Sequence, residues 1–123
     1  MVYRGFRDLI VYQLSYKLSV EIFETTKSFP KEEKYSLTDQ IRRSSRSVAS
    51  NIAEAWSRRK YPKSFVSKLI DALGEADETT VWLDFSKDFK YIKNAILSYF
   101  ISKYEEVCKM LYSMINSPDK FCH

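Results

Sequence analysis

The chain has 123 residues, among them two glycines, three prolines and two cysteines, and a formal net charge of +4. That length suits one domain with a core of its own, and so few turn-forming residues exclude an all-β fold. A charged fraction of 29% beside a hydrophobic fraction of 45% excludes a disordered chain.

Helical periodicity predicts a first helix over residues 8–28, where Val11, Leu14, Leu18, Ile22, Thr25 and Phe29 recur in steps of three and four. Phe29-Pro30 ends it, because proline disfavours helical backbone in the residue before it. The second helix is predicted over 36–58. It opens at Ser36-Leu37-Thr38-Asp39, where a hydroxyl three places ahead of a carboxylate has the form of a capping box. Its stripe is Leu37, Ile41, Ser44 or Ser45, Val48, Ile52 and Ala55.

Tyr61-Pro62 marks a break and a restart, since proline is tolerated at a first helical position. The third helix, over 62–88, carries Val66, Leu69, Leu73, Ala76, Thr80 and Leu83. Asn94 is expected to cap the fourth, over 94–116, with Leu97, Ile101, Tyr104, Cys108, Leu111 and Ile115 as its stripe. Asn116-Ser117-Pro118 stops it, and residues 117–123 are expected to form a short disordered tail. Rods of about 30–40 Å joined by short loops make an all-α, up-down-up-down antiparallel four-helix bundle. No internal repeat or linker divides it, so the chain reads as a single domain.

Nine tyrosines, eight phenylalanines and two tryptophans exceed what a monomeric bundle needs. Tyr12, Tyr16, Trp56, Tyr61, Trp82, Phe85 and Tyr99 lie off the core stripes. Large amphipathic rings outside the core are what subunit interfaces enrich, so Tyr12, Tyr16, Trp56, Tyr61, Trp82 and Phe85 are candidate oligomer contacts. The competing reading is that they widen the core or lie flat on neighbouring helices.

Charge is segregated along the chain. Arg42, Arg43, Arg46, Arg58, Arg59, Lys60, Lys63 and Lys68 stand against one acid, Glu54. Asp71, Glu75, Asp77, Glu78, Asp84 and Asp88 then follow with one base, Lys87. Three readings stay open: a solvated surface, docking of the basic surface on the acidic surface of another copy, and binding of phosphate backbones with Tyr61 and Trp56 as stacking rings. On the third, Arg42, Arg43, Arg46, Arg58, Arg59, Lys60 and Lys63 form the contact surface. No base-reading module is present, so such binding is expected to be weakly sequence-specific.

Catalytic chemistry is scarce. The single histidine is His123, which removes the usual general base and the Ser-His and Cys-His pairs. Asp71, Glu75 and Glu78 recur on one face of the third helix, but without the Glu-x-x-His partners of a carboxylate metal bundle they read as a solvated face. Glycine occurs only at positions 5 and 74, so a Gly-rich phosphate loop is absent. Ser44, Ser45, Ser47 and Ser50 are better explained as small residues that let helices approach closely. No enzyme activity, metal or cofactor is expected. Cys108 and Cys122 match neither a disulfide framework nor a zinc spacing, the first residues have no apolar signal core, and no stretch is apolar enough to span a bilayer. A cytoplasmic location without membrane partners is the expectation.

The run from Gln40 to Glu54, QIRRSSRSVASNIAE, resembles the signature of the 23S ribosomal RNA intervening-sequence proteins. Phe6-Arg7-Asp8-Leu9-Ile10-Val11-Tyr12, the Phe29-Pro30 hinge with Tyr35-Ser36-Leu37, and Leu73-Gly74-Glu75-Ala76-Asp77-Glu78-Thr79 match in the same order. The resemblance implies a four-helix bundle and a ring-like homopentamer. A related accessory protein of diversity-generating retroelements is a basic pentamer that binds nucleic acid and a reverse transcriptase. By that resemblance Arg42, Arg43 and Arg46 are the expected contact residues, with RNA, DNA or a protein as partner. Where the family continues with glycine and an aromatic, this chain has Ala55-Trp56, which predicts a more regular end to the second helix.

Overall fold

The computed structural model describes residues 2–123. Four helices carry the chain: α1 (Ile10–Thr26), α2 (Leu37–Ser57), α3 (Pro62–Asp88) and α4 (Asn94–Asn116). Single 3-10 turns sit at Phe6–Asp8, Lys31–Glu33 and Pro118–Lys120, and no strand occurs among the described residues. Each helix packs on the next in sequence and α4 closes against α1, while the diagonal pairs make no close backbone approach. Leu18, Ile22, Ile41, Val48, Ile52, Phe65, Leu69, Leu83, Val107 and Leu111 fill the centre. No helix among the described residues is long and apolar enough to cross a membrane.

The helices of the sequence are present, with local corrections. Asp8 accepts the Arg4 backbone N–H at 2.6 Å, which bends Phe6–Asp8 into a 3-10 turn and delays α1 to Ile10. The capping box at Ser36 does not form. Its hydroxyl donates instead to Glu33 Oε1, which also accepts the Leu37 N–H, so Glu33 rather than Asp39 secures the start of α2. Asn94 is the first residue of α4, not its cap. The terminal residues, expected to lack order, fold into a 3-10 turn that lays Phe121 against Phe65 at 6.1 Å and Tyr3 at 5.9 Å. An apolar side chain at position 121 supplies the anchor that a polar tail would lack.

On α2 every position of the predicted stripe is buried, and Thr38, Ala49 and Trp56, outside that stripe, are buried as well. On α3 and α4 the burial is displaced by one residue at alternate steps. Phe65, Ala72 and Thr79 are buried where Val66, Leu73 and Thr80 were expected, and Phe100, Val107 and Met114 where Ile101, Cys108 and Ile115 were. Small residues are buried on both helices, Ser44 and Ser45 on α2 and Ala72, Ala76 and Thr79 on α3, and the Ser44 and Thr79 hydroxyls bond across the α2–α3 seam at 2.8 Å.

At the α3–α4 turn Lys90 takes a left-handed backbone with φ 67°. The Tyr91 N–H reaches the Ser86 carbonyl at 2.8 Å and the Lys90 N–H the Lys87 carbonyl at 2.9 Å, which is a Schellman closure. A side chain in that conformation is strained and glycine is not. Lys90→Gly is therefore expected to raise stability by about 1 kcal/mol, read as a higher urea midpoint with an unchanged slope.

The same end of the bundle is clasped through Glu33. Its carboxylate accepts from Ser36 and, at 2.8 Å, from the Tyr91 hydroxyl of the α3–α4 connection. The Ser36 hydroxyl first, then that of Tyr91, holds the Glu33 carboxyl below its ordinary value. A group with a lowered folded pKa stabilises above its unfolded pKa and loses that contribution as pH falls through the lowered value. Glu33→Gln should therefore melt lower than the parent at neutral pH. The gap should close as the pH drops below the usual carboxylate range, as followed by circular dichroism.

Candidate nucleic-acid interface

The basic residues of α2 and of the turn after it do not form one surface. Arg42 is held inside the protein's own architecture. Its Nε donates to Thr26 Oγ1 at 2.8 Å, its Nη2 to the Phe23 carbonyl at 3.4 Å, and its guanidinium lies 4.5 Å from the Phe23 ring centre. Those contacts satisfy the C-terminal end of α1, where carbonyls lack helical partners and a cation meets the negative end of the helix dipole. Arg43 is exposed and reaches Asp39 at 4.0 Å. Arg46 is exposed and stands 6.0 Å from the Phe23 ring.

Along α2, Arg46 and Arg59 are about 20 Å apart at 1.5 Å per residue, so the second group is a separate site. Arg58 pairs with Glu54 at 2.8 Å and donates to Ser64 Oγ at 3.2 Å. Glu54 also holds Lys68 at 3.1 Å. Arg58 and then Lys68 pull the Glu54 carboxyl below its ordinary value, so one acid is shared by two cations. Arg59 lies flat on Trp56, with its guanidinium carbon 3.7 Å from the ring centre and its Nε donating to the Trp56 carbonyl at 2.9 Å. Arg59, Lys60 and Lys63 form no ion pair among the described residues. Tyr61 between them is 64% exposed. Beside it begins α3, with Pro62 in its first turn and no side-chain bond at its N-cap, so the positive end of the helix dipole adds to the field there.

Topology brings more charge to this end than the sequence reading assembled. The N-terminal segment carrying Arg4 and Arg7 and the last turn carrying Lys120 lie beside the α2–α3 turn, since Tyr3 contacts both Trp56 (5.7 Å) and Phe121 (5.9 Å). Positions this far apart in the chain give no local signal of being neighbours. Only the apolar Tyr3 and Phe121, needing cover, could have hinted at it.

The candidate interface rings divide. Trp56 is a correction: at 8% exposure it belongs to the core, roofed by Tyr3 and Arg59. Tyr12 and Trp82 are half-buried and pack against the core, Tyr12 edge-on to Phe6 at 4.9 Å. Tyr16, Tyr61 and Phe85 face solvent. Tyr99 is partly exposed, and its hydroxyl donates to Glu21 at 2.8 Å, tying α4 to α1. Phe23, outside the predicted stripes and interface rings, is an exposed ring between Arg42 and Arg46.

Reactive groups are quiet. Burial first, and then Asp77 beside it, pushes the Cys108 thiol up to about 11, so it stays protonated near neutral pH. Among the described residues no three His, Cys, Asp or Glu side chains gather to hold a metal ion. Ser44 and Ser45 are buried, Ser44 bonded to Thr79 across the α2–α3 seam and Ser45 to the Arg42 carbonyl of its own helix.

Comparison with known proteins agrees with this architecture. A crystal structure of a protein of unknown function from the S23 ribosomal protein family of Bacteroides thetaiotaomicron superposes with a TM-score of 0.79. It shares 31% identity over 87% of this chain and 96% of its own. No curated relative matches the chain. The family model described as "23S rRNA-intervening sequence protein" matches residues 7–113, and the chain belongs to that family.

Proposed function

We propose that the protein is a non-enzymatic, homo-oligomeric helical scaffold that binds RNA or DNA with low sequence specificity. The observation that carries the reading is the end of the bundle where Arg59, Lys60 and Lys63 surround exposed Tyr61 with no carboxylate paired to them among the described residues. Unpaired cations release counterions on meeting phosphates, and an exposed ring offers a stacking face. Arg43 remains accessible, and Arg46 is exposed on the single subunit, whereas Arg42 is bound to α1 and contributes to folding instead. The oligomer rests on exposed rings such as Tyr16 and Phe85, and its pentameric form on the family resemblance alone.

Fluorescence anisotropy against structured RNA and duplex DNA over a salt series tests it. Replacing Arg59, Lys60 and Lys63 together with alanine should lower the duplex salt slope by about 2.7, three contacts at roughly 0.9 each. Absence of binding at low salt, or an unchanged slope in a folded triple variant, overturns the reading. A second reading, a protein-binding adaptor, is favoured by an apolar hollow of about 400 Å³ lined by Tyr35, Leu37, Trp82, Phe85 and Phe89. A pulled-down complex that survives nuclease treatment would support it.

A further inference from the structure

α3 turns an apolar edge to solvent. Ile70 is 51% and Val81 47% exposed, and Phe85 continues the line one turn on. Helical spacing puts Gly74 between Ile70 and Val81 on the same outward ridge. From Leu69 to Ser86 the helix has no lysine or arginine, and Asp71, Asp77, Glu78 and Asp84 flank the ridge.

Gly74 is unexplained within one subunit. Glycine inside a helix costs about 1 kcal/mol relative to alanine. Its backbone is not in the positive-φ region, and a Cβ built there meets nothing within 4 Å. A missing side chain on an exposed ridge makes physical sense where another backbone or ring comes close.

A complementary surface lies on the other side of the subunit. Two hollows of about 250 and 400 Å³ run together along the α1–α2 seam, sharing Tyr16, Ser19 and Arg46. Tyr12, Val20 and Phe23 complete the walls, and Arg46 is the one charged side chain lining either hollow among the described residues. The groove is therefore aromatic and basic where the ridge is apolar and acidic.

We propose that the α3 ridge of one copy seats in the α1–α2 groove of the next, Gly74 admitting a groove ring and the ridge carboxylates meeting Arg46. This rests on the self-association in the proposed function and names its surfaces. A helix ridge lying in the groove between two helices is the ordinary way helices pack. Opposite charge on the two faces steers the approach and opposes groove-to-groove or ridge-to-ridge pairing. Because the two surfaces differ, the contact is head-to-tail, and repeated it closes into a ring where the rotation permits. It leaves the Arg59–Lys63 end outside the contact.

The experiment uses two single variants, Arg46→Glu in the groove and Val81→Arg on the ridge, with mass read by light scattering and folding by circular dichroism. Both side chains are exposed, and Arg46 makes no hydrogen bond within the subunit that replacement would break. Each variant alone should fall to the monomer mass. Mixed in equal amounts they should form a dimer and nothing larger, because one intact groove remains to meet one intact ridge. Gly74→Trp should also dissociate the assembly, whereas Gly74→Ala should raise the melting temperature of the subunit. A parent protein that stays monomeric across a concentration series would sink self-association itself. A parent that assembles while Arg46→Glu and Val81→Arg keep its full mass overturns this interface alone, as does a mixture that remains monomeric.

Discussion

Phe65→Ala is expected to lower the free energy of unfolding by about 3–5 kcal/mol, the range for truncating a fully buried aromatic side chain. Phe65 has no exposed surface and sits in the first turns of α3. Its ring supports Phe121, which meets Tyr3, which stands edge-on to Trp56. Truncation therefore removes transfer free energy, leaves a cavity, and unseats both terminal segments together. Urea denaturation should show the lower midpoint. Limited proteolysis should find the last turn, beyond Asn116, cleaved first. A variant that loses stability while Phe121 stays protected would mean that the terminal turn is held by Tyr3 instead.

Ala76→Leu is expected to destabilise by about 1–3 kcal/mol, although leucine is a good helix former. Ala76 is wholly buried on α3, one turn before Thr79, whose hydroxyl bonds Ser44 of α2. Three more carbons there must push α3 off α2 or force neighbours out of their rotamers. The Ser44–Thr79 bond at 2.8 Å bridges the same seam and would open with it. Thermal melting gives the magnitude, and hydrogen exchange confined to the middle of α2 and α3 would locate the damage. The same substitution at a solvent-facing site should be close to neutral, which separates packing from propensity.

The fold was legible because its punctuation is strong: Tyr61-Pro62 and Asn116-Ser117-Pro118 fall at helix ends, and Phe29-Pro30 stands three residues past Thr26, the last of α1. The centre of each stripe was less so. α2 shows a clean stripe because its outer face is arginine, serine and asparagine, and there every predicted position is buried. α3 and α4 carry apolar residues on their outer faces as well, Ile70, Val81, Phe85, Tyr99 and Tyr112 among them. With apolar side chains on both faces, a period of three and four fits two registers one residue apart, and the buried register is not the predicted one at Val66, Leu73 and Cys108.

The basic surface was legible only as a list of charges. Sequence spacing placed Arg42 and Arg46 one turn apart, which is correct, but it could not show that Thr26 and Phe23 of α1 would engage the first and leave the second free. The stacking of Arg59 on Trp56 likewise depends on Tyr3, which stands edge-on to that indole from the other end of the chain. Charge-bearing residues are easily counted along a chain, but which of them remain available depends on contacts between elements distant in sequence.

The meeting of Tyr3 with Phe121 has a consequence for how the bundle can be rewired. The beginning and the end of the described chain already touch, so a short flexible bridge could join them without crossing the body of the protein. A new opening at Lys31–Glu33, at the opposite pole, would then order the helices α2, α3, α4, α1 and still alternate their directions. Every helix would keep the neighbours it has now, while the cationic pole would lose its two loose ends.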